Sequence, residues 1–286
     1  MSQIIINGIM LGMSYSLIAL GLTLVFGIMN IVNFAHGQMY MLGGFIIYYV
    51  YAQWGLNFFV ALLFAALLLG VIGLVFEKAF FRRFLRESRR PESSMLLAIG
   101  TAKLLESTAL ILFGEKHRGV TPFITGVVSF MGAYIPKIKL FIFIMSFILI
   151  LGLLIFIKKT SFGLALLAIV QDKEVTKLMG VDTNRLSMIG FAIGAALAGI
   201  SGGLLTLSFP IYAGMGSDIS IKSFIMIMIG GAGVVPGAIV GGFILGMLES
   251  FGYGFIPGSA TYLLIFLLVI LLLIFKPLGI MGKPGY

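Results

Sequence analysis

Ser161–Gly203 reads SFGLALLAIVQDKEVTKLMGVDTNRLSMIGFAIGAALAGISGG, starting at the end of one apolar segment and finishing inside the next. Between the two lies a polar island, from Gln171-Asp172-Lys173-Glu174 through Arg185. Leu164, Leu167 and Ala168, then Val175, Leu178 and Met179, recur at helical spacing. The spacing predicts a helix that exposes Asp172, Lys173, Glu174 and Lys177. A charged helix held between two membrane spans cannot sit in hydrocarbon, so it must lie on a membrane face. Two roles suit it there: a docking surface for a partner protein, or an amphipathic helix resting on lipid head groups.

The composition agrees with that placement. Sixty per cent of the 286 residues are hydrophobic and 10% are charged, against about 25% charged in a soluble domain. The first Asp, Glu, Lys or Arg is Glu77, and His36 is the only side chain before it that titrates near neutral pH. A helical crossing takes roughly 20 apolar residues, and the chain is read as an all-α integral membrane protein, a polytopic bundle with broken helices. Met1-Ser2-Gln3 has no basic residue to begin a signal peptide, so the first segment is expected to be a retained span. The net charge of +9 falls in short loops between spans and reports topology rather than nucleic-acid binding. With no Cys, disulfides and thiolate metal sites are excluded.

In chain order, spans are expected at Ile4–Phe26, Asn57–Phe76, Met95–Phe113, Leu140–Ile157, Leu186–Ile211 and Ala260–Phe275, with shorter apolar pieces at Met39–Tyr51, Ile221–Ile229 and Ala238–Phe251. That makes eight or nine membrane segments in one domain, 1–286. Lys78, Arg82, Arg83, Arg86, Arg89 and Arg90 form the strongest basic mark, and they place the loops 77–94 and 158–186 in the cytoplasm. The tail, with Lys276 and Lys283, is then inside and the N-terminus outside. Lys116, Arg118, Lys137 and Lys139 run against this bias.

Asn30, Asn33, His36 and Gln38 interrupt an uncharged region, which indicates a broken helix next to protein or a water-filled cavity. His36 and its neighbours Asn33, Gly37 and Gln38 are either pathway residues or a hydrogen-bonded kink. A second interruption, Gly230-Gly231-Ala232-Gly233-Val234-Val235-Pro236-Gly237, makes Gly230, Gly233, Pro236 and Gly237 pathway candidates, although close helix packing asks for the same residues. Gly27–Gly44 and Gly230–Gly246 are then expected to be corresponding parts of an internal repeat. Gly8 and Gly12 share one helix face and suit close packing. Lys103 and Glu106, three apart, form either a relay or a self-neutralised pair. Glu249 has no partner nearby in sequence and is expected to reach solvent at the outer end of its span. The sequence has no phosphate-binding G-x-x-x-x-G-K-[ST] loop, no H-E-x-x-H and no G-x-S-x-G.

At Asn33-Phe34-Ala35-His36-Gly37 followed by Met39-Tyr40-Met41-Leu42-Gly43, the chain resembles the LivH-type permeases, membrane subunits of branched-chain amino acid ABC importers. The likeness continues through Gly180-Val181-Asp182-Thr183-Asn184-Arg185, the Gly230–Ala238 stretch and Pro277-Leu278-Gly279-Ile280-Met281-Gly282. Ribose, urea, amide and other amino acid importers share these marks. Glu77-Lys78 and Arg82-Arg83-Phe84 depart from the usual pattern, as do Lys103 and Glu106. The resemblance implies a homologous second permease, two cytoplasmic ATPases that bind ATP and Mg, and an extracytoplasmic substrate-binding protein in the inner membrane system. No cofactor is expected in this chain. It also implies a coupling helix among Gln171, Asp172, Lys173, Glu174, Lys177 and Gly180, and the abundance of Phe, Met and Gly suggests a low-affinity passage for an apolar zwitterion. A gradient-driven carrier or channel that works alone, and a membrane scaffold, are the rival readings.

Overall fold

The computed structural model describes residues 1–83, 91–130 and 132–282. Arg86, Arg89, Arg90, Phe84 and Lys283 lie outside the described residues. The helices are α1 (Ser2–Met29), α2 (His36–Ile47), α3 (Phe58–Phe76), α4 (Pro91–Phe113), α5 (Lys137–Lys159), α6 (Ser161–Gln171), α7 (Lys173–Leu178), α8 (Thr183–Leu205), α9 (Met215–Gly230), α10 (Val235–Phe255) and α11 (Gly258–Phe275). Single π-helical stretches follow α2 (Tyr48–Gln53) and α3 (Glu77–Phe81). One departure from an all-α chain is an antiparallel hairpin, β1 (Val127–Phe130) with β2 (Ala133–Pro136), in which Val127 pairs Pro136 and Phe130 pairs Ala133.

Among the described residues, six helices are long and apolar enough to cross a membrane: α1, α3 through Phe81, α4, α5, α8 and α10. The other apolar helices are shorter, with 12 residues in α2, 16 in α9 and the run Ala260–Phe275 in α11. α1 is the central element. It has no charged side chain and is buried continuously from Gly12 to Val25, as a helix apolar on all sides should be. Glycines set its closest approach, since a Cβ on Gly12 would stand 2.9 Å from Phe243 Cα on α10. α3, α4, α5 and α11 turn broad apolar faces outward.

Two half-length helices organise the interior. α1 starts beside the hairpin, where Gln3 Nε2 donates to the Tyr134 carbonyl at 3.0 Å. It ends on the opposite face, where Ile28 packs with Leu166, Ile169 and Leu186. The chain turns at Asn30, φ 53°, and climbs back along α1 until His36 Nε2 donates to the Ile18 carbonyl at 3.1 Å. α2 therefore begins near mid-depth and runs toward the hairpin face. α8 crosses toward that same face, where Arg118 and Ile211 form an antiparallel bridge. Residues 206–214 then fold back inward, and α9 starts against the first turn of α2. α9 ends at the far face, where the Gly233 carbonyl lies 3.4 Å from the position a Cβ on Gly27 would take.

This corrects the expected repeat. The break at 30–35 opens α2 and residues 206–214 open α9, whereas the turn at 231–234 joins α9 to α10. Arg118 likewise has a structural role that opposes the charge bias: its guanidinium donates to Tyr49 Oη at 2.6 Å and to the Phe113 carbonyl, and it lies over the Tyr48 and Tyr49 rings.

Candidate functional site

The starts of α2 and α9 meet through backbone and short side chains. Gly37 N donates to Ser220 Oγ at 3.2 Å, and Ser220 Oγ donates to the Phe34 carbonyl at 2.6 Å. A Cβ on Gly37 would collide with the Gly216 carbonyl, so only glycine admits this contact. Asn33 Oδ1 accepts from Ala35 N at 3.1 Å and shapes the turn into α2. Gln38 Nε2 donates to Ser217 Oγ at 3.2 Å, which donates to Glu106 Oε2 at 2.8 Å, and Lys103 Nζ donates to the same oxygen at 2.9 Å. Lys103 and Glu106 are thus a neutralised pair, and Glu106 also ties α4 to the junction. Asn33, His36 and Gln38 are all buried, yet Asn33 Nδ2, His36 Nδ1 and Gln38 Oε1 have no hydrogen-bond partner among the described residues. Each such group costs about 1–3 kcal/mol, which makes this junction a place where the interior keeps polar atoms available.

Gly230, Gly233, Pro236 and Gly237 form a separate feature. Gly230 and Gly237 pack backbone against backbone, Pro236 stands in the first turn of α10, and Gly231 and Gly233 adopt φ of 111° and 77°. The tail closes over this turn: Ile280 N donates to the Ile229 carbonyl at 2.9 Å and Met281 N to the Gly230 carbonyl at 3.0 Å. Gly230 lies ten residues along α9 from Ser220, about 15 Å at the helical rise. The two groups of pathway candidates are therefore not brought together.

The island is not one helix. α6 stops at Gln171 because Asp172 caps a new helix, its Oδ1 accepting from Glu174 N and Val175 N at 2.9 Å each. Gly180 (φ 82°) ends α7, and Asp182 Oδ1 caps α8 by accepting from Asn184 N at 3.1 Å and Arg185 N at 3.0 Å. Gln171, Asp172, Lys173, Glu174, Lys177 and Gly180 are all exposed. So are the apolar Val175, Leu178 and Met179, the last two by 86% and 79%. Beneath the island, Val170 of α6 touches Gly27, and Arg82 joins Glu77 at 2.6 Å and the Asn184 carbonyl at 2.9 Å.

A cluster that the sequence did not reveal lies nearer the hairpin face. Glu249 does not reach solvent. It is 2% exposed, 2.7 Å from Lys222 Nζ, and its Oε2 accepts from Tyr15 Oη at 2.6 Å. Lys222 Nζ also donates to Tyr15 Oη at 3.0 Å and lies 5.4 and 5.3 Å from the Tyr15 and Tyr262 ring centroids. Lys222 is therefore an interior residue. Burial without a partner would be costly for either charge. The pair borders a cavity of about 590 Å³ between α1, α5, α8, α9, α10 and α11. The sequence signal was present but divided, since Lys222 and Glu249 stand alone on two different helices.

The chain is 33% identical to the high-affinity branched-chain amino acid transport system permease protein BraD of Pseudomonas aeruginosa, over 99% of this chain and 96% of that protein. It is 29% identical to the probable branched-chain amino acid transport permease protein LivH of Methanocaldococcus jannaschii (93% and 88% covered) and 28% identical to the LivM of the same organism (78% and 68%). No solved structure gives a significant match. The family model for the branched-chain amino acid transport system permease component matches residues 4–274, and the chain belongs to that family.

Proposed function

We propose that this chain is a permease subunit of an ABC importer and forms part of the transmembrane pathway for branched-chain or related amino acids. Family membership across residues 4–274 carries the proposal. The work would come from ATP hydrolysed with Mg²⁺ on two cytoplasmic ATPases, and the chain itself would be a transport subunit with no nucleotide site. The island supports this division of labour. Leu178 and Met179 are exposed apolar side chains amid Asp172, Lys173, Glu174 and Lys177, held rigidly by two aspartate caps, and a protein cleft would cover them. Movement of α7 would pass through α6 to Gly27 and the turn at Gly230–Gly237, and through α1 to the junction of Asn33, His36, Gly37 and Gln38.

A homologous second permease is part of the proposal, supported by the occurrence of both LivH and LivM relatives in one organism. An extracytoplasmic binding protein would deliver substrate at the hairpin face. The chain is one membrane domain of the inner membrane, with the island, the segment from Glu77 and the tail on the cytoplasmic side.

Co-purification from native membranes tests the assembly. The intact chain should bring down two ATPases and a second permease, and a Glu174→Lys/Met179→Asp variant, which leaves the Asp172 cap in place, should lose the ATPases. A chain that purifies alone in both forms would overturn the importer reading and favour a carrier that works alone.

A further inference from the structure

We propose that the cavity beside Lys222 is a transit site for a zwitterionic amino acid, in which Lys222 binds the substrate α-carboxylate. The assignment rests on the importer function above and adds a location, a substrate group and a residue to it.

The cavity is lined along α1 by Ile4, Asn7, Leu11, Ser14 and Tyr15, residues of one helix face, so it extends from the N-terminal end of α1 toward its middle. Ile4 and Lys139 place its outer end toward the hairpin face, the side from which substrate would be delivered. Tyr15 is the deepest α1 residue of the lining, and it is the one that touches Glu249 and Lys222. The charged cluster therefore stands at the inner end. About 590 Å³ is ample for a single amino acid and lies in the usual range of small-molecule pockets.

The chemistry of the lining is asymmetric. Glu249 is closed off, with one oxygen on Lys222 and the other on Tyr15. Lys222 keeps 14% of its side chain accessible, and the three N–H donors of its ammonium face Glu249, Tyr15 and the Tyr262 hydroxyl. The open group at the end of the cavity is thus a cation with its own charge already balanced. A carboxylate can take the Lys222 donor that faces the neutral Tyr262 hydroxyl without displacing Glu249. A zwitterion brings its own ammonium, and Lys139, which also lines the cavity, adds a second cation to its wall. Ser208 lines the same cavity, with its Oγ buried in the wall and without a hydrogen-bond partner among the described residues. Met10, Leu11, Ile142, Leu205 and Phe209 give the remaining wall an apolar character suited to an aliphatic side chain.

The absence of Cys in the chain makes a direct test possible. A Met10→Cys variant, whose single thiol lines the cavity, is alkylated in right-side-out vesicles carrying the assembled transporter. Leucine at about ten times its Kd should slow alkylation by about tenfold. Leucinamide, which keeps the amine and the side chain but lacks the carboxylate, should not. In a Lys222→Met/Glu249→Gln background, neutral and free of a stranded charge, the leucine effect should vanish while the melting temperature is retained. Equal protection by leucinamide, or protection that survives the double substitution, would overturn the site. Leucine uptake in cells with and without the chain separates the two levels. If uptake requires the chain but leucine never protects the thiol of Met10→Cys, the transit site is wrong and the importer stands. If uptake is the same without the chain, the importer reading falls and the transit role falls with it.

Discussion

Gly37 gives its backbone N–H to the hydroxyl of Ser220 across 3.2 Å, and through that contact two half-length helices are joined at the depth where both begin. α9 has 16 residues and α2 reaches a spanning length only with its π-helical continuation to Gln53, so each leans on the other and on the breaks that precede it. The approach is closest at Gly37, where a side chain would enter the Gly216 carbonyl.

Gly37→Ala should therefore destabilise the folded protein by about 1–3 kcal/mol, the usual cost of overpacking a rigid contact. Gly152→Ala on α5 is the control, because nothing lies within 4 Å of its added methyl. Thermal melting followed by size-exclusion chromatography in detergent should show a lowered midpoint for the first and none for the second.

Lys222→Met alone should be far worse than Lys222→Met/Glu249→Gln. Removing the ammonium strands a carboxylate that is 2% exposed, at a cost of about 3–5 kcal/mol, and neutralising Glu249 as well removes that burden. Folded yield and melting temperature of the two variants check the order.

Asp172→Ala removes a cap that satisfies two backbone N–H groups. A loss of about 1 kcal/mol should speed hydrogen exchange at Glu174 and Val175 by roughly fivefold, with little change in the membrane helices. Mass spectrometry of the 172–180 segment reads the effect. Unchanged exchange there would mean that packing, not the cap, holds α7.

Sidedness has a simple readout in a chain without Cys. A cysteine replacing the exposed Lys177 should react with an impermeant maleimide only in inverted vesicles, and one replacing the exposed Ser129 only in right-side-out vesicles. The reverse pattern would invert the proposed topology.

Much of this is legible in the sequence because it is local. Long apolar runs mark α1, α3 and α5 to within a few residues, the run after Arg185 marks the start of α8 but overshoots its end at Leu205, and the cluster Asn30, Asn33, His36 and Gln38 marks the break before α2. The island is equally plain, but it reads as one helix, since the periodicity of its apolar residues continues through Asp172, whose carboxylate ends α6 by capping α7. The repeat is hidden for a related reason. The Gly230–Gly237 run is conspicuous in sequence, whereas residues 206–214 re-enter through backbone geometry that leaves little compositional trace. Glu249 looks like a surface residue because its partners lie far off in sequence, Lys222 on another helix and Tyr15 separated by 234 residues. Periodicity reports which face of a helix is apolar, and it is silent about which distant face meets it.

The clasp of residues 280 and 281 on Ile229 and Gly230 also sets an order of assembly. The last carbonyls of a helix have no partner within it, and here they wait for a segment that leaves the ribosome about fifty residues later. Until then α9 has an open lower end beside the island. Quality control during biogenesis would therefore see a nearly complete bundle as unfinished, and a truncation before Ile280 would be marked for degradation while its spans are already inserted.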